Sequence, residues 1–416
     1  MTNNYIDSKK KKVHRTKLYL LPLFILIVNQ SINTSAFSHK RVINQLSFQD
    51  DSSQLIVRGI VYIISIVFFF LNTKDNLKLL KERKVFLMLA IYCIASMSWS
   101  AFPIKVFINW GHLVGLMLVV MSARVYFLEN TEKIFSTLSV FFFVCILLSF
   151  FFVIAVPTIG INQDGRWQGI SGNANTLGAL AICSVWASLS VIYTKTGNKV
   201  VFYLILLMSV VVMVGTGSKT SFIVTVFIFL SAYIFVSQSR ASNIKRFFLL
   251  GLWCLVGGGL FLIILILMPE LLGLDGVLNV LGRDATFSGR TKVWEHAWNL
   301  FLVKPIHGWG FDSTLSVVKY TGGRLGQFHN GYFDLLVRGG SLGMVFILLL
   351  IYSLINNLLK KIESDTHIRL LFLSLLLGIL LHNVSEASLL KGTNLFWVLI
   401  VFAYFLFDKK KGIVIR

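Results

Sequence analysis

Long apolar stretches separated by short polar breaks recur along the whole chain, and within them the apolar residues are continuous, not alternating. A continuous run of about 18 or more apolar residues is long enough to cross a bilayer core of roughly 30 Å as a helix. A membrane barrel strand would instead alternate apolar and polar positions. The pattern predicts spans near 18–37, 54–72, 85–102, 106–123, 135–157, 173–193, 200–216, 221–237, 247–268, 341–359, 368–385 and 394–407, about twelve in all. The fold class expected is therefore all-α and polytopic. Span one has a short apolar core that trails into Asn29, Gln30, Ser31 and Asn33 behind the basic run Lys9–Lys12, which also fits a cleaved signal peptide.

One polar gap stands out. The segmentation reads as a basic tail at 1–17, nine helices in 18–268, a large loop at 269–340, three helices in 341–407 and a tail at 408–416. Long loops are usually functional. Within this one, "SGRTKVWEHAWNLFLVK" (288–304) offers Ser288 as an N-cap and Val293, Trp294, Ala297, Leu300 and Phe301 at helical spacing, and Pro305 ends it. Its aromatic face suits a helix lying at a membrane interface. "HGWGFDS" (307–313) reads as a turn, "TGGRLGQ" (321–327) as a flexible connection, and "NGYFDLLVR" (330–338) as a short helix that breaks at Gly339-Gly340.

Composition sharpens the membrane reading. The chain is 56% hydrophobic and 14% charged, whereas a soluble domain has roughly a quarter charged residues. The net charge of +21 is explained by topology, since 25 of the 39 lysines and arginines fall in tails and short loops on the side of the N-terminus. By the positive-inside rule both termini are cytoplasmic and the large loop is on the opposite, periplasmic side. Charge scattered over loops argues against nucleic-acid binding; some of it meets anionic membrane lipids. Cys93, Cys145, Cys183 and Cys254 all fall inside spans and lack metal-ligand spacing, so they are read as packing residues.

All 18 acidic residues lie outside the spans or at their ends. Ion relays usually require an intramembrane carboxylate, so an ion-coupled transporter is disfavoured, and no acidic cluster or HExxH helix marks a metal centre. The outside face carries isolated cations beside glycines: Arg166 in "GRWQGISGNAN", Lys219 in "TGSKTS" and Arg290 at the start of a helix, with His329 opening "HNGYFDLLVRGGSLG". Arg290 opposes the helix dipole unless it shares an anion with the helix N–H donors. Each cation also has a plainer role, as a cap or as a side chain snorkelling to headgroups, and a lone histidine such as His329 is most often structural or a helix cap. His112, His307 and His382 are read as structural.

Taken together, these stretches resemble the O-antigen ligase family, which also includes O-antigen and exopolysaccharide polymerases. The family's ligase pattern appears as His329, Asn330, nine residues, Gly340 and Gly343. Its "SGR…W" and "P..G.G" elements appear as Ser288-Gly289-Arg290, Trp294, Pro305, Gly308 and Gly310, and its "R..G…N.N" element as Arg166, Gly169, Asn173 and Asn175. At 218–219 the family's Ser-Arg is replaced by Ser-Lys, which keeps the charge but loses the bidentate fork.

The resemblance implies a GT-C-like bundle in the bacterial inner membrane with its active site on the periplasmic side. It implies a donor glycan on undecaprenyl diphosphate and a lipid A–core acceptor. Arg166, Arg290 and Lys219 would hold the diphosphate, and His329 would serve the acceptor hydroxyl. Neither cofactor, metal nor nucleotide sugar is implied, and the anomeric centre inverts. Two alternatives stay open: a polymerase joining carrier-linked repeat units, and a lipid-linked glycan flippase.

Overall fold

The computed structural model describes residues 17–33, 52–239, 288–322, 328–360 and 365–407, excepting the side chains of 238–239 and 288–291. Among these residues the chain is helical without a β-sheet, an isolated bridge between Ile161 and Trp167 aside. The helices are α1 (Leu21–Ser31), α2 (Ser52–Leu71), α3 (Thr73–Glu82), α4 (Lys84–Ala95), α5 (Pro103–Glu129), α6 (Ile134–Ala155), α7 (Ala174–Thr194), α8 (Lys199–Gly215), α9 (Lys219–Ser239), α10 (Ser288–Val303), α11 (Leu315–Thr321), α12 (Gly331–Leu358), α13 (Thr366–His382) and α14 (Leu395–Leu406). Shorter helical turns lie between some of them.

Six of these segments are long and apolar enough to cross a membrane, and five shorter apolar helices occupy five more of the expected spans. The remaining span, 247–268, lies outside the described residues. The outward faces confirm the solvent. Ile56, Ile60, Ile63, Val67 and Phe70 form an exposed stripe at helical spacing along α2, and Val200, Tyr203, Leu204, Leu207, Val211 and Val214 do so along α8. Apolar stripes facing outward in water would be an aggregation surface; in lipid they are the solvated face. Polar contacts turn inward instead. Ser139 on α6 bonds Ser188 on α7 at 2.8 Å, and Ser184 on α7 bonds Ser209 on α8 at 2.7 Å. Small polar residues of this kind let helices approach closely in a membrane. The described cysteines, Cys93, Cys145 and Cys183, are buried and free.

α3 departs from the expected loop at 74–84. It is a short helix with Leu79 buried and its lysines spaced around the polar side. Span prediction is blind to a helix this polar, because its apolar content is far too low for a bilayer.

Segments that the alternation of spans assigns to one side meet one another in the bundle. At one end Arg83 donates to Phe407 O at 2.6 Å, satisfying a carbonyl at the terminus of α14. At the same end of the chain's path Arg369 bonds Asp365 at 2.8 Å and Asn357 O at 2.6 Å, both within a buried setting. The loops expected outside meet one another instead. Asn33 N donates to Ile170 O at 2.8 Å, Gln30 reaches Gly392 O at 3.2 Å and Gly331 N reaches Asn383 O at 2.7 Å.

The segment around 288–343 forms its own small core from Ala297, Leu300, Trp309, Val317, Phe328 and Val337. Its central feature is a break in α12 at Gly340, whose φ of 60° and ψ of −166° are open essentially to glycine alone. A break strands the backbone groups on either side, and the turn at 305–310 takes up four of them. Trp309 N and Gly310 N donate to Val337 O and Arg338 O, each at 2.9 Å, while Ser341 N and Leu342 N donate to Pro305 O and Ile306 O at 2.8 and 3.1 Å. Tyr92 Oη donates to Gly339 O at 2.7 Å. The double glycine thus ends the short helix and begins the span, as its sequence suggested.

Candidate active site

The site is built around the N-terminus of α12. Asn330 is its cap: Oδ1 accepts from Tyr332 N at 2.9 Å and Phe333 N at 3.1 Å. Such a cap is worth about 1 kcal/mol. Its Nδ2 donates to Val384 O at 3.0 Å, so the cap also pins α12 to the loop at 383–394. That loop is knotted by buried Asn383, whose Oδ1 accepts from Ser388 N at 2.9 Å and Leu389 N at 3.2 Å. Gly331 packs so closely on Asn383 that a Cβ there would overlap the amide oxygen.

His329 precedes the cap in the left-handed region, φ 49°, a conformation uncommon outside glycine and asparagine. Phe328 before it is fully buried, and its carbonyl accepts from Trp294 Nε1 at 3.1 Å. The backbone therefore swings the imidazole out of the α10–α12 core. It lies half-exposed, with Nδ1 4.0 Å from Oε2 of Glu386.

Glu386 leads to the arginine. Its Oε1 accepts from Asn175 Nδ2 at 2.8 Å, and Asn175 Oδ1 accepts from Arg166 Nη2 at 2.8 Å. Arg166 Nε donates to Thr216 O at 2.8 Å, so the guanidinium rests on the turn that leads into α9 and carries Lys219. Lys219 itself is exposed. Arg290 lies on α10 one helical turn before Trp294, but its side chain is outside the described residues. His329, Asn175 and Glu386 line a cavity of about 450 Å³, together with Arg58 and Lys391; Arg166 lies one hydrogen bond behind that wall, and Lys219 is not part of the lining.

The arginine of the quoted motif has a structural task. Arg338 Nη2 pairs with Asp334 at 2.6 Å and also donates to Leu389 O at 3.2 Å, holding α12 against the loop at 383–394. Lys391 approaches the same Asp334 at 3.8 Å. Burial pulls the Lys391 ammonium below its ordinary range, with Asp334 acting against that and Arg338 adding to it. The three histidines read as structural have packing partners: His112 Nδ1 meets Tyr62 Oη at 3.1 Å, His307 packs on Trp99, and His382 packs edge-on to Phe396.

Residues 204–348 match the O-antigen ligase family. That match covers Lys219, Arg290, His329 and the double glycine, so the resemblance read from these motifs holds on the segment that carries most of them. An exopolysaccharide production protein, ExoQ of Rhizobium meliloti, is 23% identical over 229 residues, covering 52% of this chain and 44% of that relative. The chain therefore spans less than half of that relative's length. On this basis the chain is a multi-pass membrane protein in which residues 204–348 are similar to the O-antigen ligase family.

Three residues of the cavity were not singled out in the sequence. Arg58 is a buried arginine inside an expected span, with Nε donating to Asn29 at 3.0 Å and Nη2 to Gln54 at 2.8 Å. An intramembrane charge is by default a functional marker, and that signal was present. Glu386 and Lys391 sit in the short loop between the last two spans, and nothing local distinguishes them from ordinary loop charges. Among the described residues no group of histidine, cysteine, aspartate or glutamate is placed to hold a metal ion.

Proposed function

We propose that this protein is a glycosyltransferase that moves a glycan from undecaprenyl diphosphate to a sugar hydroxyl on the periplasmic face of the inner membrane, with lipid A–core as acceptor. The observation that carries this reading is the line from Arg166 through Asn175 and Glu386 to His329, which sets a proton acceptor on the wall of one polar cavity and a cation one side chain behind it. A lipid diphosphate is already a good leaving group and needs charge neutralisation at its oxygens. Guanidinium groups supply that bidentately, and preorganised cations stabilise charge developing in the transition state. Arg290 is assigned the diphosphate with Arg166 and Lys219 beside it. His329 is assigned the acceptor: its imidazole takes the hydroxyl proton as the sugar oxygen attacks the anomeric carbon.

A second reading is a polymerase that joins carrier-linked repeat units. It is favoured by the similarity to a relative named for exopolysaccharide production. A lipopolysaccharide gel of a deletion strain separates the two. Loss of a ligase leaves bare core and accumulates carrier-linked polymer. Loss of a polymerase leaves core bearing a single unit. A wild-type ladder in the deletion strain overturns both. A flippase is the less favoured class, because these polar groups gather at one end of the bundle.

A further inference from the structure

We propose that Glu386 is the positioning residue of His329, holding the imidazole with Nδ1 toward the carboxylate and Nε2 toward the acceptor hydroxyl. The inference rests on the glycosyltransferase reading above and assigns a partner that the family's motif does not contain.

Three observations carry it. First, the carboxylate is itself fixed. Its Oε1 is held by Asn175 at 2.8 Å, so Oε2 is the oxygen turned to the histidine. Second, His329 Nδ1 is buried and has no hydrogen-bond partner, although the side chain as a whole is 43% exposed. The enclosed edge of the ring is thus the Nδ1 edge, and the exposed edge is the other one. A buried, unpaired ring nitrogen is costly, and the carboxylate facing it at 4.0 Å is the group that relieves the cost once the ring turns. Catalytic hydrogen bonds are often long before substrate arrives and tighten in the complex. Third, His329 is held in a left-handed backbone conformation between a buried phenylalanine and a helix cap, so its side chain leaves the backbone on the cavity side.

The chemistry follows from the tautomer. A histidine whose Nδ1 carries the proton and donates it to a carboxylate presents an Nε2 lone pair. In the transfer step that lone pair takes the acceptor hydroxyl's proton. The acceptor oxygen forms its bond to the anomeric carbon, the bond from that carbon to the diphosphate oxygen breaks, and the diphosphate leaves with the electron pair. The imidazolium produced faces Glu386, whose charge stabilises it, and later releases its proton to water. Asn175 links the same carboxylate to Arg166, so the donor-side arginine and the acceptor-side histidine are aligned through one side chain. Arg58 and Lys391 line the same cavity, and the competing role for Glu386 is as their counterion alone.

The test uses the full-length protein in nanodiscs. Nitrogen-15 NMR of labelled histidine, with His329→Ala identifying the signal, reads the tautomer without any substrate. The expected result is an Nδ1–H tautomer in the wild type that switches to Nε2–H in Glu386→Ala. In transfer assays Glu386→Ala should lower kcat about 100-fold with the donor KM within twofold, Glu386→Asp should recover at least a tenth of the wild-type rate, and Glu386→Ala/His329→Ala should be no slower than His329→Ala. If Glu386→Ala does not insert, Glu386→Gln replaces it; it keeps the Nδ1–H tautomer and loses kcat. An unchanged tautomer in Glu386→Ala, or a double variant slower by the product of the single effects, overturns the pairing. A tautomer switch in a protein that transfers no glycan leaves the pairing standing and overturns the glycosyltransferase reading.

Discussion

Arg166 and Glu386 are joined through a single side chain: Asn175 accepts from the guanidinium and donates to the carboxylate, each at 2.8 Å. Opposite charges are thereby kept in line without touching. Replacing Asn175 by alanine removes both bonds, each to a charged group and each worth about 1.5–3 kcal/mol. Glycan transfer in Asn175→Ala should fall by about 10–100-fold if one bond's worth of alignment is lost in the transition state. Asn175→Asp keeps the arginine but sets two carboxylates together, and it should be at least as slow. Wild-type transfer rates in either variant would show that the link is only structural.

His329→Ala and Arg290→Ala should each abolish transfer with the protein still inserted. They should differ in binding. A carrier-linked glycan should bind His329→Ala normally and Arg290→Ala weakly, since alanine at 290 removes a diphosphate contact and alanine at 329 removes only the proton acceptor. Arg290→Lys keeps the charge without the fork and should retain part of the activity. His307→Ala should stay close to wild type, its ring resting on Trp99 and neither residue lining the cavity. Normal turnover in His329→Ala would reduce the histidine to a spacer before the cap.

Gly340→Ala is expected to be severe. The backbone conformation there costs a residue with a side chain about 1–3 kcal/mol, and a Cβ would also overlap the carbonyl of Ile306. The turn at 305–310 would be forced off α12, leaving the four backbone bonds across the break unmade. Thermal stability in detergent should drop and transfer should be lost. Ala-substituted protein with wild-type melting would mean that the break is not needed.

A reporter fused after residue 320 should read periplasmic, and reporters after 199 and 365 cytoplasmic. The motivation is the loop charge count and the way loops assigned to one side meet at one end of the bundle. A cytoplasmic signal at 320 would put the cavity on the wrong side for a periplasmic transfer.

Transfer in washed membranes should survive EDTA, because the charges assigned to the diphosphate are arginines and a lysine. Complete loss that magnesium or manganese restores would require a metal site and displace those cations from the role given to them.

Much of this was legible from hydropathy and spacing because a bilayer imposes one long apolar run per crossing. The eleven described spans fall where the runs do, and the break at Gly339-Gly340 was readable from the glycines. The motif histidine could be singled out as a candidate from its spacing, but its left-handed backbone could not, since φ at that point is set by the docking of Phe328 and Asn330 on other elements. Glu386 was silent for a related reason. It lies 57 positions beyond His329 and 211 beyond Asn175, and only the folded bundle brings the three together. Arg338 shows the reverse case: a cation in the middle of the motif that is paired with a carboxylate four residues back and bonded to a carbonyl in a distant loop.

The turn at 305–310 has a mechanical meaning. Trp309 bonds α10 through Leu300 O at 2.9 Å, and its backbone bonds α12 through Val337 O at 2.9 Å. The helix bearing Arg290 and the helix led by His329 are thereby fastened to one bracket and cannot swing apart. The rest of the cavity lining comes from α1, α2, α7, the ends of α13 and α14, and the loop at 383–394, which α12 itself holds through Asn330 and Arg338. The backbone positions of residues 290 and 329 are therefore set relative to each other by the protein's own hydrogen bonds, not by whatever fills the cavity.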